Sequence, residues 1–239
     1  MTASAMTQEK KQQRRERQHA AVRDEIKAMA RTHMARAGAA ALSLRAVASD
    51  LGLSSAAIYY YFPNRDELIT ALIVDAFRAL GEALRAVDRP EADIGVRLEA
   101  IMLAYRAWAV AQPAEYALLF GTPIPGYHAP AEVTAPEATA AFAPMGELFN
   151  VAYAQGRLRP SSTPPPPSIA AHMTGWLTAT GQQIPLPVLL STIRAWALGH
   201  GLIGLELDHQ TQPIIGDAPA LFAYEVRELL RQFGVIGDS

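Results

Sequence analysis

Cysteine is absent from this chain of 239 residues. Its absence excludes disulfide bonds, thiol redox sensing, thiolate metal ligands and a cysteine nucleophile. The six histidines are scattered, and no two of them lie three or four residues apart. Because a metal site on a helix needs such a pair, we expect neither a metal ion nor a cofactor.

Signatures of catalysis and of membrane insertion are also missing. The sequence contains no GxGxxG and no GxxxxGK phosphate-binding motif, so we predict that the protein is not an enzyme. The first 18 residues are charged and lack the apolar stretch of a signal peptide. The most apolar run, Pro185 to Leu207, contains Arg194 and His200, which indicates a buried helix rather than a membrane span. We therefore expect a soluble, cytoplasmic protein.

Charge is distributed unevenly along the chain, although the net charge is only −2. Residues 1–65 hold 11 Lys or Arg against 5 Asp or Glu, while residues 66–239 hold 10 against 18. A basic N-terminal part suggests contact with a polyanion. Residues 1–18, which include KKQQRRER, are expected to form a flexible basic arm that is either a solvated tail or a phosphate contact.

Apolar residues recur with a helical period, and no alternating run is long enough to suggest a sheet. Val22, Ile26 and Met29 give one apolar face to a helix from about 18 to 37, which Gly38 ends. Pro136 and Pro144 weaken the early part of the helix that carries Phe149. We predict an all-α fold, with later helices near residues 66–88, 94–108, 113–120, 142–152, 169–180, 186–208 and 217–234.

Two short helices, Ser43–Leu51 and Ser55–Phe62, are joined by Gly52-Leu53-Ser54. This spacing is typical of a helix-turn-helix. The exposed side of the second short helix starts with small residues, which allow a helix to enter a major groove about 12 Å wide.

The stretch SLRAVASDLGLSSAAIYYYFPNRDELITAL, Ser43 to Leu72, resembles the DNA-binding domain of the TetR family of bacterial transcriptional regulators. The resemblance covers roughly residues 20–72. Many members have His in place of Tyr61 and Lys in place of Arg65. The resemblance implies an arm (1–18), a helix-turn-helix head (19–65) and a helical ligand-binding and dimerisation body (66–239).

The resemblance also places particular side chains against double-stranded DNA. Hydroxyl groups and cations suit phosphate oxygens, and alanine methyl groups suit thymine. Tyr60 is the best candidate for a direct contact. The predicted DNA-binding residues are Ser43, Arg45, Ser55, Ala56, Ala57, Tyr59, Tyr60, Tyr61 and Arg65.

Structural alternatives exist for several of these side chains. Tyr59 and Tyr61 can instead pack against the first helix, and Arg45 can pair with Asp50 or Asp66. Ser54 is expected to cap the helix rather than to contact a base.

Within the body, Trp196 and the His200-Gly201 pair resemble a WHG-like C-terminal subtype of the family. Small and apolar residues form one stripe on each of the last two helices, so a second backbone can approach closely and form a four-helix interface. The alternative is that both stripes belong to the monomer core. The predicted interface of the homodimer consists of Leu189, Ile193, Ala197, His200, Gly201, Gly204, Phe222, Val226, Leu229 and Phe233.

Aromatic residues between the head and these stripes are candidates for a pocket that holds a small, largely apolar effector. The alternative for each of them is a core residue. The candidates are Tyr105, Trp108, Tyr116, Phe120, Phe142, Phe149, His172, Met173 and Trp176.

These features together predict a homodimeric, effector-released repressor that binds a palindromic operator. The alternative is a helical small-molecule-binding protein or enzyme whose head is only a packing unit. Salt-dependent binding to an operator discriminates between the two.

Overall fold

The computed structural model describes residues 3–159, 161, 163–210 and 214–237. Within these residues the chain is helical and contains no strand, as the sequence predicted. The elements are α1 (Ala3–Ala37), a 3₁₀ turn (Ala39–Ala41), α2 (Leu44–Asp50), α3 (Ser55–Tyr61), α4 (Arg65–Ala86), α5 (Ile94–Ala111), α6 (Pro113–Phe120), α7 (Ala131–Ala154), α8 (Pro167–Thr180), α9 (Leu186–Leu207) and α10 (Ala218–Gln232).

Two helices are longer than the sequence pattern predicted. The helix α1 starts at Ala3 instead of near residue 18, so the described part of the predicted arm is helical. Residues 3–18 contain no Gly or Pro and are mostly strong helix formers. The helix α7 continues through Pro136 and Pro144, because buried residues along it supply tertiary packing that outweighs local propensity.

The chain divides into two compact units. The first unit comprises Met1–Ala76 and Pro113–Pro136, and the second comprises Phe77–Gln112 and Glu137–Ser239. The first unit therefore contains α6 and the loop after it, which the sequence had assigned to the body. Whether residues 19–65 form a separate domain stays a prediction.

The core of the first unit joins α1 to the two short helices. Ile26 of α1, Val47 of α2 and Ile58 of α3 are completely buried. Each such side chain contributes about 1.5–3 kcal/mol relative to exposure. In the loop after α6, the hydroxyl groups of Tyr127 and Thr70 lie 2.9 Å apart, and burial raises the pKa of Tyr127 although this hydrogen bond opposes the rise.

The core of the second unit lies among α5, α9 and α10. Leu98, Ile203 and Val226 are completely buried there. Arg106 of α5 donates from Nε to Glu206 of α9 at 2.7 Å. By length and composition alone, α9 could cross a membrane. Its buried residues and its ion pair with α5 are instead typical of a helix that packs in a helical bundle.

Candidate DNA-binding surface

Serine caps and one glycine shape the turn between α2 and α3. The hydroxyl of Ser43 accepts from Ala46 N at 3.4 Å, and that of Ser54 accepts from Ala57 N at 3.1 Å. Gly52 has a φ of 66°, a conformation in which a Cβ is unfavourable. The expected capping role of Ser54 is confirmed.

The end of α3 is fixed to α1 by Arg23. The side chain of Arg23 donates to the carbonyl of Tyr61, and its guanidinium carbon lies 4.1 Å from the centre of the Phe62 ring. Phe62 itself is completely buried. A cation over an aromatic face adds about 0.5–2 kcal/mol. Sequence reasoning missed Arg23, because nothing in its spacing identifies Phe62 as its partner.

The opposite side of α3 faces outward. Ser55 and Ala56 are exposed and Ala57 is half-buried, so the start of the helix is narrow. Tyr60 is 74% exposed and Tyr59 is 42% exposed. A helix with this face can lie in a major groove without a bulky side chain at its N-terminal end.

A ring cluster holds the two later tyrosines. The centre of the His19 ring lies 5.4 Å from that of Tyr60 and 4.9 Å from that of Tyr61. Tyr60 and Tyr61 meet edge to face at 5.2 Å. Tyr61 is half-buried beneath this cluster, so packing occupies its ring while the ring of Tyr60 remains accessible. Sequence reasoning missed His19, which lies about 40 residues before these tyrosines.

Arg45 is exposed at the start of α2 and forms no ion pair with any described residue. The alternative pairing with Asp50 is not observed; the Oδ2 atom of Asp50 instead accepts from His33 Nε2 at 2.8 Å. Pairing with Asp66 is not observed either within the described part of the chain. Arg45 is therefore available to an external anion.

Arg65 makes hydrogen bonds within the protein that the sequence did not predict. Its Nε donates to Leu42 O at 2.9 Å, and its Nη2 donates to Ala39 O at 3.0 Å and to Ala40 O at 2.8 Å. These donors are directed at the backbone around the 3₁₀ turn rather than at solvent. Arg65 thus positions α2 through the segment before it.

Most cations of the first unit fall into two groups. Lys27 and Arg31 form ion pairs with Asp75 at 2.8 and 2.9 Å. Burial lowers the pKa of Lys27, but its hydrogen bonds to Asp75 and Asp24 outweigh this effect, so the pKa lies above its ordinary value. A second group is exposed and has no acidic partner among the described residues: Lys10, Lys11, Arg14, Arg15, Arg17, Arg36 and Arg45. These seven cations are accessible to external anions.

Comparison with known families supports this interpretation. Residues 26–72 match the family of "bacterial regulatory proteins, tetR family", and residues 98–229 match the "tetracyclin repressor-like, C-terminal domain". The second match alone spans more than half of the chain. The chain belongs to the TetR family.

Individual TetR-family relatives agree with this assignment. The HTH-type transcriptional regulator Rv1816 of Mycobacterium tuberculosis is 46% identical over 124 residues, which are 51% of this chain and 53% of that protein. The chain thus spans about half the length of the curated relatives that it matches. The crystal structure of regulatory protein SCO4313 has a TM-score of 0.72 and 37% identity, covering 90% of this chain and 98% of that one.

A more distant structure shows the shared fold alone. A TetR variant from Acinetobacter baumannii AYE, crystallised in complex with minocycline, has a TM-score of 0.51 and 17% identity. The match covers 90% of this chain and 97% of that one.

The two apolar stripes predicted to form the dimer interface, one on α9 and one on α10, differ in how deeply they are buried. Phe222, Val226 and Phe233 are buried in the second unit, because their face of α10 packs against α5 and α9. Leu229 beside them is half-buried. This corrects the expectation that the α10 stripe faces a second chain.

The α9 stripe is more open. Ile193, Ala197 and Gly201 are exposed, and a Cβ added to Gly201 or Gly204 would meet no atom within 4 Å apart from the adjacent backbone of α9. Leu189, His200 and Gly204 are half-buried. The neighbouring α8 has Leu177 as its buried residue and exposes Ile169 and Trp176.

The residues predicted to line one effector pocket belong partly to the first unit and partly to the second. Tyr116 and Phe120 belong to the first unit, where their ring centres are 5.3 Å apart. Trp108 and Phe149 are buried in the second unit, and Phe149 packs against Phe233 at 5.7 Å.

Two further groups complete this picture. Tyr105 contacts Phe142 edge to face at 5.6 Å, and Phe142 lies 6.2 Å from Trp196. Met173 is half-buried, while His172 and Trp176 are exposed on α8. The predicted pocket residues thus belong to both units, and whether they line one pocket stays a prediction.

Proposed function

We propose that this protein is a transcriptional repressor that binds a palindromic DNA operator as a homodimer and leaves it when a small, largely apolar effector binds. One observation carries the proposal: α3 buries Ile58 completely and leaves Tyr60 74% exposed. A short helix that is firmly anchored on one side and accessible on the other is what major-groove recognition requires.

Within this proposal, the contacts to DNA come from the exposed face of α3 and from the start of α2. Ser55, Ala56 and Ala57 approach base edges, because small side chains allow close contact. Tyr60 and Arg45 bind phosphates, and Tyr59 flanks them. Ser43 can donate its hydroxyl to a phosphate while accepting from Ala46 N. Tyr61 and Arg65 act mainly by positioning the two helices.

We propose that the homodimer forms through α8 and α9. The exposed apolar residues of both helices favour this surface over α10, whose stripe is buried. Two heads related by a two-fold axis match the two halves of a palindrome.

The effector is proposed to bind in the second unit, beside the ring cluster of Tyr105, Phe142 and Trp196. A protein of this fold holds minocycline in its crystal structure, which supports a small molecule as the effector. Assignment to the WHG-like subtype rests on Trp196 and the His200-Gly201 pair. Release from DNA then requires that the effector bind more tightly to the conformation whose heads do not fit successive major grooves.

Two further proposals concern catalysis and location. The protein acts by binding rather than by catalysis, as transcriptional regulators do. We also place it in the cytoplasm, where the DNA is.

Selection of bound duplexes from a random pool tests the proposal directly. We expect enrichment of a palindrome whose affinity falls steeply with salt, because phosphate contacts release counterions. The double variant Tyr60→Ala/Arg45→Ala is expected to lose most of that affinity. Tyr224→Ala on α10 removes a similarly exposed tyrosine and is expected to bind like the unaltered protein. If no sequence is enriched and binding to duplexes is absent, the operator function is rejected in favour of a helical small-molecule-binding protein.

A further inference from the structure

An open groove of about 350 Å³ lies between the N-terminal half of α1 and the exposed tyrosine of α3. Its lining residues are Gln12, Arg15, Glu16, His19 and Tyr60. Gln12, Arg15 and His19 are spaced three and four residues apart, so they lie on one face of α1. That face leads from the basic extension of α1 to the candidate DNA-binding surface.

Ring contacts hold one wall of this groove in place. The His19 ring meets the Tyr60 ring nearly perpendicular to it, with centres 5.4 Å apart, and Tyr61 supports both rings. No described residue forms a hydrogen bond with the Tyr60 hydroxyl. The ring is therefore oriented while its hydroxyl remains available to an external acceptor.

Charge in the groove favours an anion. Arg15 is exposed and has no acidic partner among the described residues, and Lys10, Lys11, Arg14 and Arg17 surround it on α1. Glu16 is the one carboxylate in the lining, and it accepts from Gln12 Nε2 at 2.7 Å. This bond directs the Glu16 charge toward Gln12.

We propose that Arg15, His19 and Tyr60 together bind one phosphodiester of the DNA backbone in each half of the operator. This inference rests on the proposed function, because it assigns an additional phosphate to the strand that borders α3. Guanidinium, imidazole and phenol groups all donate to phosphate oxygens, and such contacts fix register without reading sequence. The extension of α1 is thereby part of the DNA-binding surface rather than a solvated tail.

Arg15→Gln tests the proposal, with Arg14→Gln as its matched control. The two variants remove equal charge from adjacent exposed positions, but Arg14 lies about 100° around the helix and does not line the groove. On the operator obtained by selection, Arg15→Gln is expected to lower the steepness of log Kobs against log[salt] by about 0.9 for each bound copy. Arg14→Gln is expected to change it by less than half as much.

Ethylation interference identifies the phosphate itself. In the unaltered protein, ethylation of one phosphate per half-site is expected to weaken binding, and this effect should vanish in Arg15→Gln but persist in Arg14→Gln. Equal salt dependence in both variants together with an unchanged interference pattern would overturn the proposal in favour of diffuse attraction by the basic helix.

A double-mutant cycle between Arg15→Gln and Tyr60→Phe tests whether both side chains hold the same phosphate. If they do, the double variant loses less affinity than the product of the two single losses. Fully multiplicative losses would mean separate contacts and would reject the shared site.

The same three side chains can also donate to free inorganic phosphate. Calorimetry with phosphate and the DNA-free protein distinguishes this ligand from the DNA backbone. We expect no saturable binding of phosphate at millimolar concentration, since the DNA backbone completes the site. The DNA contact would be refuted if the unaltered protein bound phosphate, if Arg15→Gln abolished that binding, and if this variant kept the salt dependence of DNA binding. If the unaltered protein selects no operator at all, the proposed function fails and not this site alone.

Discussion

The Nε atom of Arg65 donates to the carbonyl oxygen of Leu42 across 2.9 Å, which ties the start of α4 to the residue before Ser43. The same guanidinium donates from Nη2 to the carbonyls of Ala39 and Ala40. One side chain thus satisfies three carbonyls around the 3₁₀ turn. The orientation of α2 depends on this contact, since α2 begins at Leu44.

Replacing Arg65 by Lys separates positioning from phosphate binding. Lysine keeps the positive charge but lacks the planar fork that reaches three carbonyls. We expect the free energy of unfolding to fall by about 1.5–3 kcal/mol. Operator affinity should fall with it, while the salt dependence of binding stays unchanged. Chemical denaturation and fluorescence anisotropy at several salt concentrations measure these quantities.

Arg36→Lys is the control for Arg65→Lys, because Arg36 is exposed in the last turn of α1. Its stability should change by less than about 0.5 kcal/mol. Unchanged stability in Arg65→Lys, with a shallower salt dependence, would restore the phosphate contact that the sequence suggested.

Two adjacent serines should respond differently to alanine. Ser54 caps α3, so Ser54→Ala is expected to lower the free energy of unfolding by about 1 kcal/mol. Ser55 is exposed inside the helix, and Ser55→Ala should leave stability nearly unchanged while weakening the operator complex several-fold. Thermal unfolding and operator titration of both variants provide the comparison, and equal destabilisation by the two would contradict the assignment.

Gly201→Glu tests the proposed α8–α9 dimer surface. A Cβ added at Gly201 meets no atom within 4 Å apart from the adjacent backbone of α9, so the monomer fold should tolerate the change. A carboxylate buried against a second copy would carry a large desolvation cost. We expect sedimentation at micromolar concentration to show a monomer. Tyr224→Glu on the exposed face of α10 should leave the dimer intact, and the reverse result would place the interface on α10.

His200 should make stability depend on pH. Burial lowers the pKa of His200 below its ordinary value of 6.5. A proton therefore binds more readily to the unfolded chain than to the folded one. The contribution of His200 to the free energy of unfolding is complete above pH 6.5 and is lost as the pH falls through the folded-state pKa. His200→Gln should show a smaller loss of unfolding free energy between pH 7.5 and pH 5.

His128→Gln, which removes an exposed imidazole from the loop after α6, is the control for this experiment. It should keep the pH dependence of the unaltered protein. Identical curves for His200→Gln and the unaltered protein would show that another group is responsible.

Much of the head follows from the sequence because its signals are local. Ser43 and Ser54 cap the helices that follow them, and Gly52 takes the left-handed conformation between these helices. The extent of α1 was missed, because the apolar face starts near residue 18 while helix propensity continues back to Ala3. His19 and Arg23 were missed too, since their contacts with α3 depend on how the helices pack.

By itself, the sequence determined the all-helical class, the helix-turn-helix and the basic N-terminal part, because period, caps and charge are properties of neighbouring residues. Only the tertiary structure decided which of two similar stripes remains open. The stripes on α9 and α10 have the same spacing, but Val226 is completely buried while Ala197 is exposed. Periodicity shows that a helix has an apolar face, and only packing against α5 and α9 shows that the face of α10 is already covered.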